Sequence, residues 1–264
     1  MMHVFDFAWR ATRGAREYQE DMADVWSAPS SSADDAAMTG SARLVAVLAD
    51  GMGGHTGGAL ASRVVCEHFL EAYSALDGPV TVRLRGSLDA ANAAIARRVD
   101  ADPVLSGMGS TLVGVAFADT GVEWISVGDS PLLLFRRGEV AVLNADHSLA
   151  PELDRLAAAG RITHEQARRD PRRHMLRSAV TGEDLDLVDQ PLKPLRLELG
   201  DYIILASDGL QTLEHGEIER VISAYATDGP DAVAGALIRA VEAVRDPHQD
   251  NTTVVAVRVL APGA

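Results

Sequence analysis

The sequence predicts a mixed α+β sandwich, and three observations predict it. Short segments that are apolar on both faces recur along the chain. Segments with apolar residues every three or four positions lie between some of them, and three of the short segments follow one another with almost no connecting chain. The first pattern marks strands covered on both sides, the second amphipathic helices and the third antiparallel neighbours. Strands grouped in this way, with helices elsewhere, favour a layered sandwich over a doubly wound parallel sheet.

In chain order, residues 44–49 read as the first covered strand, closed by Asp50. Leu60, Val64 and Phe69 give one helical stripe, and Leu84, Leu88, Ala91, Ile95 and Val99 a second. Strands follow at 111–117, 122–127 and 131–135, expected to lie side by side. Between about 149 and 189 no strand is expected. There Thr163 to Gln166 have capping-box spacing, and Arg155, Arg161, Arg168, Arg169, Arg172, Arg173 and Arg177 crowd together. This basic stretch reads equally as a solvated helical excursion and as a grip on anionic substrate. A strand at 202–206, helices at 217–226 and 231–244, and a last strand at 253–259 complete the order. Residues 27–35, small and polar, read as a surface loop. No repeat or linker interrupts the chain, so residues 1–264 are expected to form one domain with a flap subdomain at about 149–189.

Composition narrows the function. A chain of 264 residues with 47% hydrophobic and 23% charged residues suits a folded globular protein and excludes long disorder, collagen-like sequence and coiled coil. The net charge of -14, from 24 basic and 38 acidic residues, opposes binding to nucleic acid or an anionic membrane surface. A single cysteine, Cys66, excludes an internal disulfide and a thiolate zinc cage and suits a reducing compartment. No apolar run is long enough to cross a bilayer, and Asp6 and Arg10 interrupt the N-terminus where a secretory signal needs its apolar core. The expectation is a complete cytoplasmic protein.

The chemistry is signalled by acids at strand ends. Asp50, Asp129 and Asp208 each close a strand, and Asp250 stands just before the last one. If that last strand runs antiparallel to its neighbours, Asp50, Asp208 and Asp250 meet at one rim. Carboxylates so placed raise one another's pKa and call for a cation. Their oxygen-only donor set suits Mg²⁺ or Mn²⁺ better than zinc, which recruits His or Cys. A single Asp at a strand end is ordinary turn chemistry, so the surrounding sequence decides. Asp50 opens Asp50-Gly51-Met52-Gly53-Gly54-His55-Thr56-Gly57-Gly58, between a strand and a helix, where glycines permit close backbone approach. No Lys follows, as a phosphate-binding P-loop requires, and the dinucleotide glycine spacing is absent. Ala72, six positions beyond Cys66, stands where a cysteine phosphatase needs Arg, so Cys66 reads as a buried helix residue.

The ordered set Arg16-x-x-x-Glu20-Asp21, Asp50-Gly51-Met52-Gly53-Gly54-His55, Gly109-Ser110-Thr111, Gly128-Asp129-Ser130, Asp146-His147-Ser148, Ser207-Asp208-Gly209-Leu210 and Asp250-Asn251-x-Thr253 resembles the PPM family of metal-dependent Ser/Thr protein phosphatases (type 2C) in its bacterial form. The resemblance spans nearly the whole chain. It implies a four-layer α/β/β/α sandwich of two antiparallel sheets flanked by helices, with two Mg²⁺ or Mn²⁺ ions in a cleft at one edge and a third, weaker ion in bacterial relatives. By matching position it implies that Asp50 bridges two metals, with Glu20 and the Gly51 carbonyl on one and Asp208 and Asp250 on the other. Asp21 supports that shell, and Asp129 with Asp208 holds the third metal, near which His174 falls. Arg16 is implied to bind the substrate phosphate, as a planar fork suits two phosphate oxygens. The activity implied is hydrolysis of phosphoserine and phosphothreonine in proteins by metal-activated water, without a phosphoenzyme, opposing a bacterial Ser/Thr kinase. Two departures stand out: Met52 where eukaryotic relatives carry His, which leaves His55 either to protonate the leaving group or to brace the loop, and Pro131 where Arg is usual. Two alternatives remain open on sequence, a phosphatase of other phosphomonoesters and a non-catalytic phosphoprotein-binding module.

Overall fold

The structure, a computed structural model, describes residues 3–28, 42–53 and 56–262. Two sheets, every pairing antiparallel, stack face to face. One runs in the order β1 (Val4–Thr12), β10 (Thr252–Leu260), β9 (Tyr202–Ala206), β7 (Leu132–Arg136), β8 (Glu139–Val142). The other runs β2 (Asp21–Ser27), β3 (Ala42–Met52), β5 (Leu112–Ala118), β6 (Gly121–Val127), with the two-residue β4 (Gly109–Ser110) paired to the end of β3. The four-layer sandwich expected from the resemblance is the architecture seen.

Alternation along each strand builds the layers. Leu44, Ala46 and Leu48 of β3 point between the sheets with Val113, Val115 and Phe117 of β5, against Leu132, Ile203, Leu205, Val255 and Val257 of the facing sheet. Val45, Val47 and Ala49 point outward, onto Phe69 and Tyr73 of α1 (Thr56–Ala75) and Leu84, Leu88 and Ile95 of α2 (Val80–Ala101). On the opposite outer face, Tyr202, Ile204 and Ala256 meet Ile218 and Ile222 of α5 (His215–Tyr225) and Val233, Leu237 and Val241 of α6 (Pro230–Val244). Three apolar layers therefore explain why these strands read as hydrophobic on both faces; each large side chain so buried is worth about 1.5–3 kcal/mol.

One expected neighbour relation is corrected. The segments read as three adjacent strands are β5, β6 and β7, and β5 pairs β6, but β7 pairs β8 and β9 in the other sheet. The chain changes sheets through Gly128, whose φ of +105° is open to glycine, and where a Cβ would lie 2.6 Å from Thr111 Cγ2. The strands β1, β2, β4 and β8 add to those read from sequence.

Between β8 and β9 lie two short helices, α3 (Ala150–Ala158) and α4 (His164–Arg169), with a small apolar cluster of Leu153, Ala157 and Ala167. Thr163 caps α4 with the expected reciprocal bonds: its hydroxyl accepts from Gln166 N at 3.0 Å and its own N donates to Gln166 Oε1 at 2.7 Å. The chain returns by isolated bridges to the edge strand β6 and to β4. Part of the predicted loop at 27–35, and His55, lie outside the described residues.

Candidate active site

The acids predicted to converge do so because β3 and β9 run toward one rim of the sandwich and β10 starts there. The end of β9 and the start of β10 are tied by Ser207 N donating to Thr253 O at 3.1 Å and Thr253 N donating to Ser207 Oγ at 2.9 Å. Asp208 and Asp250 flank that junction. Asp21 opens β2 directly opposite Asp50 on β3. Ser207 Oγ then donates to Asp21 Oδ2 at 2.7 Å, joining one sheet to the other at the rim.

The backbone around Asp50 is fully engaged, which leaves its carboxyl to the cleft. Asp50 N donates to Thr111 Oγ1 at 3.0 Å, while its carbonyl accepts from Thr111 N and Ser110 Oγ, each at 2.9 Å. Gly51 N donates to Glu20 O at 3.1 Å. Asn251 locks the Glu20 segment, accepting from Glu20 N at 2.7 Å and donating to Arg13 O and Tyr18 O at 2.9 Å each. A Cβ on Gly58, in the first turn of α1, would stand 2.3 Å from Glu20 Oε1 and 3.0 Å from Gly51 O. That glycine therefore forms the cradle in which the Glu20 carboxylate and the Gly51 carbonyl come together.

These groups border a cleft of about 640 Å³ that also takes in Arg16, Asp129 and, from the segment after α4, His174 and Arg177. Arg16 Nη2 is ion-paired with Asp250 Oδ2. Asp129 follows β6, on a turn held by His147: Gly128 N donates to its Nδ1 at 3.3 Å, and burial pushes the imidazole pKa down, so the ring stays a neutral acceptor. Of the crowded arginines, Arg169 pairs with Glu165, Arg172 with Asp170 and Arg173 with Asp154, so much of the basic patch is neutralised within the segment. Cys66 is buried, its thiol pKa raised by burial, with Sγ 3.5 Å from Met22 O.

Electrostatically the rim is under strain. Burial pushes the Asp50 carboxyl well above the usual range, and Asp21, Asp208, Asp129 and Asp250 push it further. Burial lifts Asp21 to about 7 against an opposing hydrogen bond from Ser207, and lifts Asp129 to about 7 with help from Asp208 and Asp146. Asp208 is raised by burial and by Asp250, while His174 and Arg16 pull the other way. No three of these acids form a ready-made ligand cluster among the described residues. The donor set nonetheless fits a hard divalent cation. It is all oxygen, Asp21 Oδ1 is buried with no hydrogen-bond partner among the described residues, and Gly58 leaves room where a side chain would displace Glu20.

Sequence reading named the acids but gave no role to Ser207, Thr111, Asn251 or Gly58. All four sit in or beside the motifs quoted, and only the fold shows what they hold.

Comparisons agree with this geometry. Residues 29–248 match the family model described as Protein phosphatase 2C. The Serine/threonine protein phosphatase PstP of Mycobacterium tuberculosis is 36% identical over 225 residues, which cover 83% of this chain and 41% of that protein. The chain thus spans about two-fifths of that relative's length. Protein phosphatase PhpP of Streptococcus pneumoniae is 32% identical over 186 residues, covering 69% of this chain and 73% of PhpP. The crystal structure of the PstP catalytic domain in complex with two manganese ions superposes with a TM-score of 0.75 at 28% identity, covering 98% of this chain and 100% of that one.

Proposed function

This chain belongs to the protein phosphatase 2C family, and on that premise we propose that it is a metal-dependent protein Ser/Thr phosphatase acting on phosphoserine and phosphothreonine. The observation that carries the reading is the rim itself: Asp50, Asp208, Asp129 and Asp21, drawn from both sheets, all held at raised pKa by burial and by one another. A non-catalytic binding module has no use for such an arrangement.

In this reading Asp50, Glu20, the Gly51 carbonyl, Asp208 and Asp250 hold two Mg²⁺ or Mn²⁺ ions, and Asp129 with Asp208 a third. Bound divalent ions supply Lewis acidity toward the phosphoryl oxygens and lower the pKa of water. The protein's own groups do the rest. Ser207 and Thr111 fix Asp21 and the Asp50 backbone, and Asn251 fixes the Glu20 segment. Arg16, released from Asp250, aligns the phosphate by two parallel hydrogen bonds. The residues 1–264 act as one catalytic domain with a flap at about 149–189, and the lone buried Cys66 is in keeping with a reducing cytoplasm. A bacterial Ser/Thr kinase supplies the substrate.

The test is hydrolysis of a phosphothreonine peptide with added Mn²⁺, with chelator, and with Asp208→Ala. Activity is expected to vanish in chelator, return with Mn²⁺ and fall by orders of magnitude in the variant. Equal rates in variant and parent would remove the metal mechanism. A rate on small phosphomonoesters far above that on any phosphopeptide would favour the broader phosphatase instead.

A further inference from the structure

On the far side of Asp129 from the cleft is a second cavity, of about 350 Å³, a size typical of sites that seat a small ligand or side chain. Its walls come from the sheet-changing turn, β7, β8, the turn after Asp208 and the start of α5. Leu133, Leu210, Leu213 and Ile218 make it apolar. Pro131 adds a short apolar ring at the position where the family resemblance leads one to expect a long cation. The ionisable groups that line it are Asp129, Asp146, Glu214 and His215. One ring nitrogen of His215, Nε2, lies 3.0 Å from Val140 O and is committed to β8. Among the described residues the cavity therefore offers an apolar interior with carboxylates and no fixed cation. Asp129 lines both this cavity and the cleft, and Gln211 Nε2 donates to its carbonyl at 3.4 Å, so the two spaces share a wall. The far side of the cleft is acidic as well, lined by Glu183, Asp184 and Asp186.

We propose that this cavity docks an aliphatic side chain of the phosphoprotein substrate, with a basic residue beside it facing Asp146 and Glu214, while the phosphorylated residue occupies the cleft across Asp129. The inference rests on the phosphatase reading and adds a substrate preference to it: an aliphatic-basic pair near the phosphorylated residue. Charge complementarity and continuity with the cleft select this occupant. An acidic flank would be repelled, and a purely polar one would leave the apolar walls uncovered.

The experiment uses the full chain with Mn²⁺, p-nitrophenyl phosphate as a probe too small to reach the cavity, and phosphothreonine peptides in which a Leu-Arg pair is walked along both flanks against Ser-Glu controls. Val142, 57% exposed at the cavity mouth on the edge strand β8, is changed to Lys, a residue such edges accommodate. At the best placement the Leu-Arg peptide is expected to exceed its control in kcat/KM by about tenfold. Val142→Lys should remove most of that advantage while the p-nitrophenyl phosphate rate holds. Indifference to Leu-Arg at every placement would overturn the proposal. So would a preference that survives Val142→Lys, which would move recognition to Glu183, Asp184 and Asp186, or a parallel loss on both substrates. Failure to hydrolyse even p-nitrophenyl phosphate would overturn the phosphatase reading, and this one with it.

Discussion

Gly58 separates what the fold needs from what the site needs. In a helix, Gly→Ala stabilises by about 1 kcal/mol, and by less in the first turn, because alanine loses less backbone freedom. At Gly57 a Cβ meets only Met108 Cβ at 3.5 Å, an ordinary contact. Gly57→Ala should therefore raise the melting temperature by a few degrees at most, about 2–4 °C per kcal/mol for a protein of this size, and leave activity alone. At Gly58 the Cβ would stand 2.3 Å from Glu20 Oε1 and 2.9 Å from Glu20 Cδ, against roughly 3.3–3.6 Å for comfortable carbon–oxygen contact. The carboxylate must retreat by about 1 Å. It is the end of a flexible side chain, so the retreat costs little stability, but a shift of that size at a reacting centre can cost about 100-fold in rate. The expected outcome is a divergence. Gly58→Ala melts within a few degrees of the parent yet needs more Mn²⁺ and turns over about 100-fold more slowly, while Gly57→Ala does neither. Thermal melts and Mn²⁺ titrations of phosphopeptide hydrolysis provide the check. A Gly58→Ala protein with parental Mn²⁺ requirement and rate would refute the placement of Glu20 in the site.

Other expectations follow from the same contacts. With Asp21 held at about 7 by burial, the folded metal-free protein binds a proton that the unfolded chain releases near pH 4. Stability in chelator should then be highest below pH 4 as far as this group is concerned, and should fall as pH rises from about 4 to about 7, the reverse of a salt-bridged carboxylate. Urea unfolding at pH 5 and pH 8 in chelator should show the drop, and Asp21→Asn should lessen it, leaving the share carried by Asp50, Asp129 and Asp208; equal slopes in parent and variant would contradict the assignment. Arg16→Ala should raise KM for a phosphopeptide by about 10- to 100-fold, the worth of a charge-assisted hydrogen bond of about 1.5–3 kcal/mol. An unchanged KM would contradict a phosphate-binding role. Gly114→Ala should destabilise by about 1–3 kcal/mol, because its Cβ would lie 2.2 Å from Phe69 Cζ where α1 packs on β5. A urea midpoint equal to the parent's would show that this interface can relax.

How legible the molecule was depended on which interaction carried each feature. The covered strands β3, β5, β6, β9 and β10 and the helices α1, α2, α5 and α6 were readable because burial writes a period into the sequence. The strand β1 also carries one, Phe5, Phe7 and Trp9 alternating with Asp6, Ala8 and Arg10, but those same charged residues were weighed as interruptions of a signal segment. Being an edge strand with Phe7 and Trp9 partly exposed, it lacks the continuous apolar run of its neighbours. Period could not say which sheet β7 joins, because alternation fixes a strand's faces and leaves its partner open. The acids of the site were legible from their place at strand ends. Ser207, Thr111 and Asn251 were not, since a hydroxyl or amide that ties one strand end or loop to another looks in sequence like any other polar residue.

Charge on the cleft wall orders events in the proposed reaction. Among the described residues eight carboxylic acids line it, Glu20, Asp50, Asp129, Glu183, Asp184, Asp186, Asp208 and Asp250, against two arginines and one histidine. Arg16 is already taken by Asp250. A phosphorylated side chain carries nearly two negative charges at neutral pH, so the protein alone repels the group it is proposed to cleave. The apolar layers between and outside the sheets hold these acids together despite their repulsion. Positive charge has to be supplied before a phosphoprotein can settle. A cation held by Asp250 would compete with Arg16 for that carboxylate and leave the guanidinium available. In the proposed reaction the arginine assigned to the phosphate would thus be released by the same event that makes the cleft attractive to it, so the empty protein would bind phosphoprotein poorly because of the placement of one ion pair.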